Sequence, residues 1–461
     1  MAVPVVLVWF RRDLRLSDHP ALHAAAERGA AVVPLFVLDP RLMTGRDAPR
    51  EAWFASTLGA LAGELRVAGS PLIVRRGDPR EVVAQVAREA GATAVHWSDD
   101  FTPYARRRDA AVTAALSTIG VEARGFPGTA LVDPDTLRTS AGGFYTVFTP
   151  FHRAWSAIPS TAPLAAPERL IPGPVLSGES APEASEGVGH AAARQALERF
   201  VRGSLVGYER GRDRVDHDST SRLSVHLRVG AISPREVRHV VQRAAVRAGR
   251  MRRPAEAFVR QLAWRDFFTH ILWHAPASRR RELRADRRDI AWRDDPKGLA
   301  AWREGRTGYP LVDAGMRELA ATGVMHNRAR LVAASFLTKH LLVDWREGER
   351  WFMRRLRDGD PAVNTGNWQW VASTGADALP AFRIFNPVVQ GRRFDPDGAY
   401  VRRWIPELAA VAAAQIHEPW VAGGVPGYPA PIVEHGQARR RALATLGATR
   451  GSGASAPSGE D

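Results

Sequence analysis

The hydrophobic pattern changes character near residue 131. Before it, short β-branched runs alternate with Ala-rich amphipathic stretches. Residues 3–9 (VPVVLVW) form an unbroken apolar run, the mark of a strand buried on both faces. Residues 20–29 predict a helix closed by Gly29. Residues 31–38 (AVVPLFVL) predict a second strand, in which Pro34 is out of place because it has no N–H for a ladder. Helices over 50–68, 79–90 and 106–119 then alternate with strands over 72–75, 94–98 and 121–126. This alternation predicts right-handed βαβ units and a doubly wound, Rossmann-like parallel sheet. Ligands of such sheets sit beyond the carboxyl ends of the strands. Those ends carry Arg11, Arg12, Asp13, Asp39, Arg76, Asp78, Asp99 and Asp100. No G-x-G-x-x-G follows the first strand and no lysine stands in a P-loop pattern, so neither nucleotide fingerprint is present in this half.

From 131 to 190 the periodicity fails, and Pro, Gly, Ser and Ala dominate residues 156–189. A connection of this length is uncommon inside one domain and marks a boundary. From 191 onward the signals are helical. Ser233-Pro234-Arg235-Glu236 reads as a capping box with proline at the first helical position. Helices are predicted around 255–274, 310–322, 326–342 and 346–357, with few convincing strands. The last residues, GSGASAPSGED, have nothing to bury and predict a disordered tail over 449–461. There is no internal repeat.

The 461 residues suffice for two or three domains and a large core. A hydrophobic content of 45% and a charged content of 25% match a soluble globular protein. No apolar run reaches the ~18 residues of a spanning helix. The N-terminus is apolar before it is basic, the reverse of a secretory signal, which predicts a cytoplasmic protein. The absence of cysteine excludes disulfides, thiolate metal sites and a cysteine nucleophile. The net charge of +15, carried almost wholly by arginine, points to a polyanionic partner such as nucleic acid; composition drift is the plainer alternative.

One stretch is too polar for a plain core and too aromatic for a plain loop: Asp358 to Pro387, DGDPAVNTGNWQWVASTGADALPAFRIFNP. Its carboxylates, amide, indoles and Arg383 predict a site for a flat, hydrogen-bonding aromatic ligand. Other clusters support it. Thr220-Ser221-Arg222-Leu223-Ser224 at a helix start suits an anion, because free N–H groups and the helix dipole favour phosphate there; plain N-capping is the blander reading. Gln261, Trp264 and Arg265 share one helical face, as they also would on an ordinary amphipathic core helix. Asn327 and Arg330, three apart, project together, and Arg330 is a natural partner for Asp358 or Asp360. His270 and His274 stand at metal-ligand spacing, but no third ligand recurs nearby, so no metal is expected.

Read together, these segments resemble the photolyase/cryptochrome family from Val5 to about Glu434. The matching segments, in the family's order, are VWFRRDLRLSDHPAL, TVFTPF, TSRLS, WRDFF, EGRTGYPLVDAGMREL, MHNRAR, DWREGERWF, DGDPAVNTGNWQWVASTGAD, FRIFNP and YPAPIVEH. Among its branches the chain is most similar to the class I cyclobutane pyrimidine dimer photolyases. The resemblance implies an α/β antenna domain (1–130), a long linker (131–190) and an all-α FAD-binding domain (191–448). It implies FAD, active as FADH⁻, held by Tyr208, Thr220 to Ser224, Phe258, Gln261, Arg265, Asn327, Arg330, Asp358, Gly359, Asp360 and Asn364. Arg330 pairs with Asp358 beside the flavin ring, and Asn364 faces its N5. Trp302, Trp345 and Trp368 match an electron-transfer chain running from surface to flavin. Trp264 and Trp370 match aromatics that pack on a flipped-out lesion, with Gln261 and Asn327 contacting it; Arg212, Arg383 and Gln390 fall where the family touches DNA or the cavity rim.

Three departures refine this picture. Gln261 stands where the class I enzymes usually carry glutamate, and Leu331 where methionine is usual. The (6-4) enzymes have histidines at the positions of Asn327 and Leu331, and this chain has neither. Ala105 replaces a glutamate that helps bind a folate antenna, which favours a deazaflavin over folate and leaves a flavin or no antenna open. The resulting expectation is a monomeric, cytoplasmic enzyme, associated with the nucleoid when bound to UV-damaged DNA and with no membrane partner. It splits cyclobutane dimers by light-driven electron transfer. A cryptochrome-like photoreceptor and a (6-4) photolyase are the alternatives.

Overall fold

The computed structural model describes residues 3–42, 48–380 and 382–448; the predicted tail over 449–461 lies outside the described residues. The chain forms two compact units. One comprises Met1–Tyr145, Thr149–Glu209 and Ser219–Pro276; the other comprises Thr146–Phe148, Arg210–Asp218 and the chain from Ala277 onward.

The first unit is built on a parallel sheet. Its strands are β1 (Val5–Phe10), β2 (Ala31–Leu38), β3 (Ile73–Arg76), β4 (Ala94–Ser98) and β5 (Glu122–Phe126), in the order β3-β2-β1-β4-β5. A two-residue strand, β6 (Ile171–Pro172), adds parallel to the start of β2. Val6 to Phe10 and Ala31 to Val37 are buried throughout, as a sheet covered on both faces requires. Pro34 is tolerated in this interior strand because it falls between two registers. Pairing with β6 ends at Val32, and pairing with β3 begins at Leu35.

The helices between strands start where short polar caps meet proline. His19 accepts from the Leu22 N–H, Asp78 from Arg80 and Thr102 from Ala105, each followed by Pro at the first helical position. The strand order reverses between β1 and β4, whose carboxyl ends deliver Arg11 and Ser98 to Asp100. There the Arg11 guanidinium lies 4.7 Å over the Trp9 ring and pairs with Asp109.

The same unit carries the helices Gly189–Arg199, Pro234–Arg247 and Arg252–His274. Ser233 caps the second of these by accepting from the Glu236 N–H at 2.9 Å. The Glu236 carboxylate does not complete a reciprocal box; it turns to Arg194 at 2.8 Å and to His190 at 3.1 Å. The chain after 130 is pinned by Asp266, whose Oδ2 accepts from the N–H groups of Leu131 and Val132 and from the Trp155 indole at 2.9 Å. Burial pushes this carboxyl above its usual range, opposed by the neighbouring Arg265.

The second unit is helical, with no strand among its described residues. Helices Pro296–Glu304, Pro310–Thr322, Asn327–Ser335, Trp345–Arg355 and Pro361–Ala372 surround a core that includes Trp302, Phe336, Trp345, Phe352 and Trp368. The predicted helix over 326–342 breaks into a π-turn at Phe336–His340. The wholly buried Asp313 ties this unit together. It accepts from the Thr307 N–H and hydroxyl, the Gly308 N–H and the Tyr428 hydroxyl.

Candidate functional site

The segment from Asp358 does not stay a loop. Asp360 caps the helix Pro361–Ala372, its Oδ1 accepting from Ala362 at 2.9 Å and Val363 at 3.0 Å, with Pro361 at the first position. The helix ends at Ser373, which takes a left-handed conformation with φ of 66°. Two polar groups are presented at the start of this helix. Arg330 donates to Asp358 Oδ2 at 2.9 Å and to the Met325 carbonyl at 2.8 Å, which fixes the carboxylate. Asp358 Oδ1 is buried and has no hydrogen-bond partner in the protein. Such an oxygen is open to a donor from a bound ligand or an ordered water.

Asn364 is buried, and its Nδ2 donates to the Glu349 carbonyl at 3.0 Å and to Glu349 Oε1 at 3.1 Å. Both amide protons are therefore engaged, and what Asn364 offers elsewhere is its oxygen, an acceptor. Glu349 is buried and itself held by Arg279 at 2.6 Å and by the Thr365 hydroxyl at 3.1 Å. Sequence reasoning missed Glu349. Its signal was there: with Trp345 and Phe352 it falls on one helical face, a carboxylate among apolar residues.

The indoles differ in depth from expectation. Trp368 is buried, and its ring rests on Gly348, where a Cβ would come within 2.0 Å of it. Trp345 is 1% exposed and Trp302 0%. Trp302 is thus no surface terminus of a chain running 302, 345, 368. It sits on the inward face of its helix, donates to the Ala333 carbonyl at 2.9 Å and meets Trp368 edge-on at 6.1 Å. Phe352 packs against both rings, 5.9 Å from Trp302 and 5.0 Å from Trp368. The half-buried tryptophans packed on this core are Trp292, Trp351, Trp370, Trp404 and Trp420. Among the residues assigned to lesion or DNA, Trp370, Arg212 and Gln390 are half-buried, while Asn327 and Arg383 are exposed. The Gln390 Oε1 is buried without a partner.

In the first unit, Tyr208 and Phe258 meet with ring centroids 5.4 Å apart, and Phe200 packs on both. The Thr220–Ser224 segment leads into a short helix, Ser224–Val229. Its cap position is Leu223, so the blander reading as side-chain capping does not hold. Arg222 adopts a left-handed φ of 53°, uncommon for a side chain of its size. Gln261 folds back to donate to the Ala257 carbonyl at 3.3 Å. Trp264 packs 5.6 Å from Phe267 and from Phe268. Arg265 donates to the Thr129 carbonyl at 2.7 Å. His270 and His274 both donate to the Pro134 carbonyl at 2.9 Å, and His270 Nε2 accepts from the Tyr145 N–H at 3.0 Å. Burial holds His270 neutral, with its pKa pushed down to about 4.

Comparison with known proteins identifies the family. Residues 258–448 match the FAD binding domain of DNA photolyase, and residues 6–168 match the DNA photolyase family description. A deoxyribodipyrimidine photo-lyase from Streptomyces griseus is 44% identical over 458 residues, spanning 96% of this chain and 98% of the relative. Among solved structures, a bacterial class III photolyase from Agrobacterium tumefaciens matches with a TM-score of 0.90 at 40% identity, over 98% of both chains. A cryptochrome from Synechocystis sp. PCC6803 matches with a TM-score of 0.88 at 32% identity, over 96% of this chain and 100% of that one. No described helix is long and apolar enough to cross a membrane. An α/β unit on a β3-β2-β1-β4-β5 sheet, a helical FAD-binding region and full-length similarity to photo-lyases lead to one conclusion: the chain belongs to the DNA photolyase family, the FAD-dependent lyases of DNA repair.

Proposed function

We propose that this chain splits cyclobutane pyrimidine dimers in UV-damaged DNA, in light, with reduced FAD as the electron source. The observation that carries the reading is the pair of acceptors at one helix start: the unmatched Asp358 Oδ1 and the Asn364 oxygen, whose amide protons are both spent on Glu349. A reduced flavin ring offers N–H donors, so these residues fit it. When bound and excited, the flavin supplies one electron to the dimer and recovers it afterwards; cofactors of this kind carry the chemistry while the protein orients and shields them.

The chain's own residues do the rest. Arg330 neutralises Asp358, whose bare charge would oppose an anionic flavin. Asn364 accepts from the ring. Tyr208, Thr220 to Ser224, Phe258, Gln261, Arg265, Asn327, Gly359 and Asp360 complete the proposed FAD contacts. Trp264 and Trp370 stack on the lesion, with Gln261 and Asn327 at its polar edge. Photolyases are among the enzymes that take a base out of the duplex, at a cost of a few kcal/mol that is smaller for damaged bases. Aromatic stacking returns about 1–3 kcal/mol per base. Trp345 and Trp368 pass electrons to the flavin during photoreduction. The protein acts as a monomer, with residues 1–130 as antenna domain, 131–190 as linker and 191–448 as flavin domain. Ala105 is buried in its helix, its N–H held by Thr102, and offers no carboxylate, which favours a deazaflavin over folate as an antenna and leaves a flavin or no antenna open.

The similarity to a cryptochrome supports a photoreceptor as the second reading. A (6-4) photolyase is disfavoured, because Asn327 and Leu331 supply no proton-donating histidine. Repair of each lesion type in turn, by photoreduced protein under blue light, separates the three. The DNA-facing assignments predict that Arg212→Ala or Gln390→Ala weakens binding to lesion-bearing DNA and leaves FAD in place. Release of flavin by either variant would make the residue a cofactor ligand instead.

A further inference from the structure

We propose that Glu282 is the proton acceptor for Trp345 when that indole is oxidised during photoreduction. The inference rests on the reading that Trp345 passes an electron toward the flavin. An oxidised indole is a far stronger acid than the neutral ring, so its fate depends on what its N–H faces. The Trp302 N–H faces the Ala333 carbonyl, which cannot take a proton. The Trp345 N–H donates to Glu282 Oε1 at 3.1 Å, a carboxylate that can. Trp345 and Glu282 are 1% and 4% exposed, so bulk water does not compete at this contact.

Two further features favour the transfer. The Arg346 guanidinium lies 4.8 Å over the Trp345 ring, and a cation there opposes positive charge on the indole, a penalty that proton loss removes. Arg346 also donates to Glu282 Oε2 at 2.8 Å, which keeps the carboxylate aimed. After Glu282 is protonated, Arg346 is still held by Asp344 at 3.0 Å and by the Arg280 carbonyl at 2.7 Å, so its charge is not stranded.

The step balances. One electron leaves Trp345 by way of Trp368 for the flavin. The Trp345 N–H bond breaks and an O–H bond forms on Glu282 Oε1. The pair passes from neutral indole plus carboxylate to neutral indolyl radical plus carboxylic acid, losing the single negative charge that the electron carried. A one-electron reductant from solution, such as a thiol, later restores the indole, and the proton returns to it. Proton loss thus delays the backward electron transfer that would waste the absorbed light.

The test is flash excitation of the FAD-loaded protein, following the indole radical by its visible absorbance. The cation and the neutral radical absorb at different wavelengths. In the unmodified protein, proton loss should show a solvent deuterium effect, and a carboxylic acid C=O band should appear in the light-minus-dark infrared spectrum. Glu282→Gln keeps an oxygen for the indole N–H but takes no proton. It should slow proton loss by about 10²-fold, the usual weight of a positioned base, and remove the infrared band. Repair by chemically pre-reduced Glu282→Gln protein should be unchanged, which shows the fold intact. Unaltered radical kinetics in Glu282→Gln, or no carboxylic acid band in the unmodified protein, would overturn the proposal. Trp345→Phe isolates the underlying reading: normal photoreduction in that variant would show that Trp345 carries no electron at all.

Discussion

Asp358→Ala should bind FAD about 10- to 100-fold more weakly than the original chain, the weight of one hydrogen bond to a charged group. Two losses combine. The unmatched Oδ1 disappears, and with it the acceptor offered to the flavin ring. Arg330 loses its 2.9 Å partner and keeps only the Met325 carbonyl. A fully buried charge stripped of its partner costs about 3–5 kcal/mol. The Arg330 side chain is 24% exposed, so water meets part of that cost and the fold should survive. Asp358→Asn retains the shape and one acceptor, and should fall between the two. Titration of flavin-free protein with FAD, read by quenching of flavin fluorescence, measures all three. Equal affinity in all three would remove Asp358 from the cofactor site.

Trp368→Phe should reduce the rate of flavin photoreduction to a small fraction of the original and leave repair by pre-reduced protein largely intact. The substitution keeps an aromatic ring toward Phe352 but lacks the outer indole atoms that lie over Gly348, so it leaves a small cavity at a stability cost of about 1–3 kcal/mol. What is lost is the readily oxidised indole. Flash photoreduction and single-turnover repair of the chemically reduced protein separate the roles. Equal loss of both would mean that Trp368 supports the lesion reaction itself.

Much of the fold was legible because its signals are local. Each of the strands from β1 to β5 begins within two residues of its predicted start, since parallel strands buried on both faces read as continuous apolar runs. The helix Pro234–Arg247 announced its start through the Ser233 cap followed by proline. The helix Pro361–Ala372 escaped notice for a physical reason. Asn364, Thr365 and Gln369 are buried along with Trp368, so no amphipathic period survives. A functional interior carries polar groups where a structural one would be apolar. The depth of the tryptophans was not legible either: Trp302 and Trp292 look alike in the chain, and only packing makes one wholly buried and the other half-exposed. Glu282 was missed because a carboxylate in an arginine-rich turn reads as surface until its partners are known.

The central claim is light-driven reversal of cyclobutane dimers, and one measurement addresses it directly. Photoreduced protein is mixed with an oligonucleotide carrying a single cyclobutane thymine dimer, and the recovery of intact thymines is followed under blue light and in the dark. The account predicts recovery in light only, with no such recovery from an oligonucleotide carrying a (6-4) product. Dimers that persist equally in light and dark, with FAD bound and reduced, would contradict it.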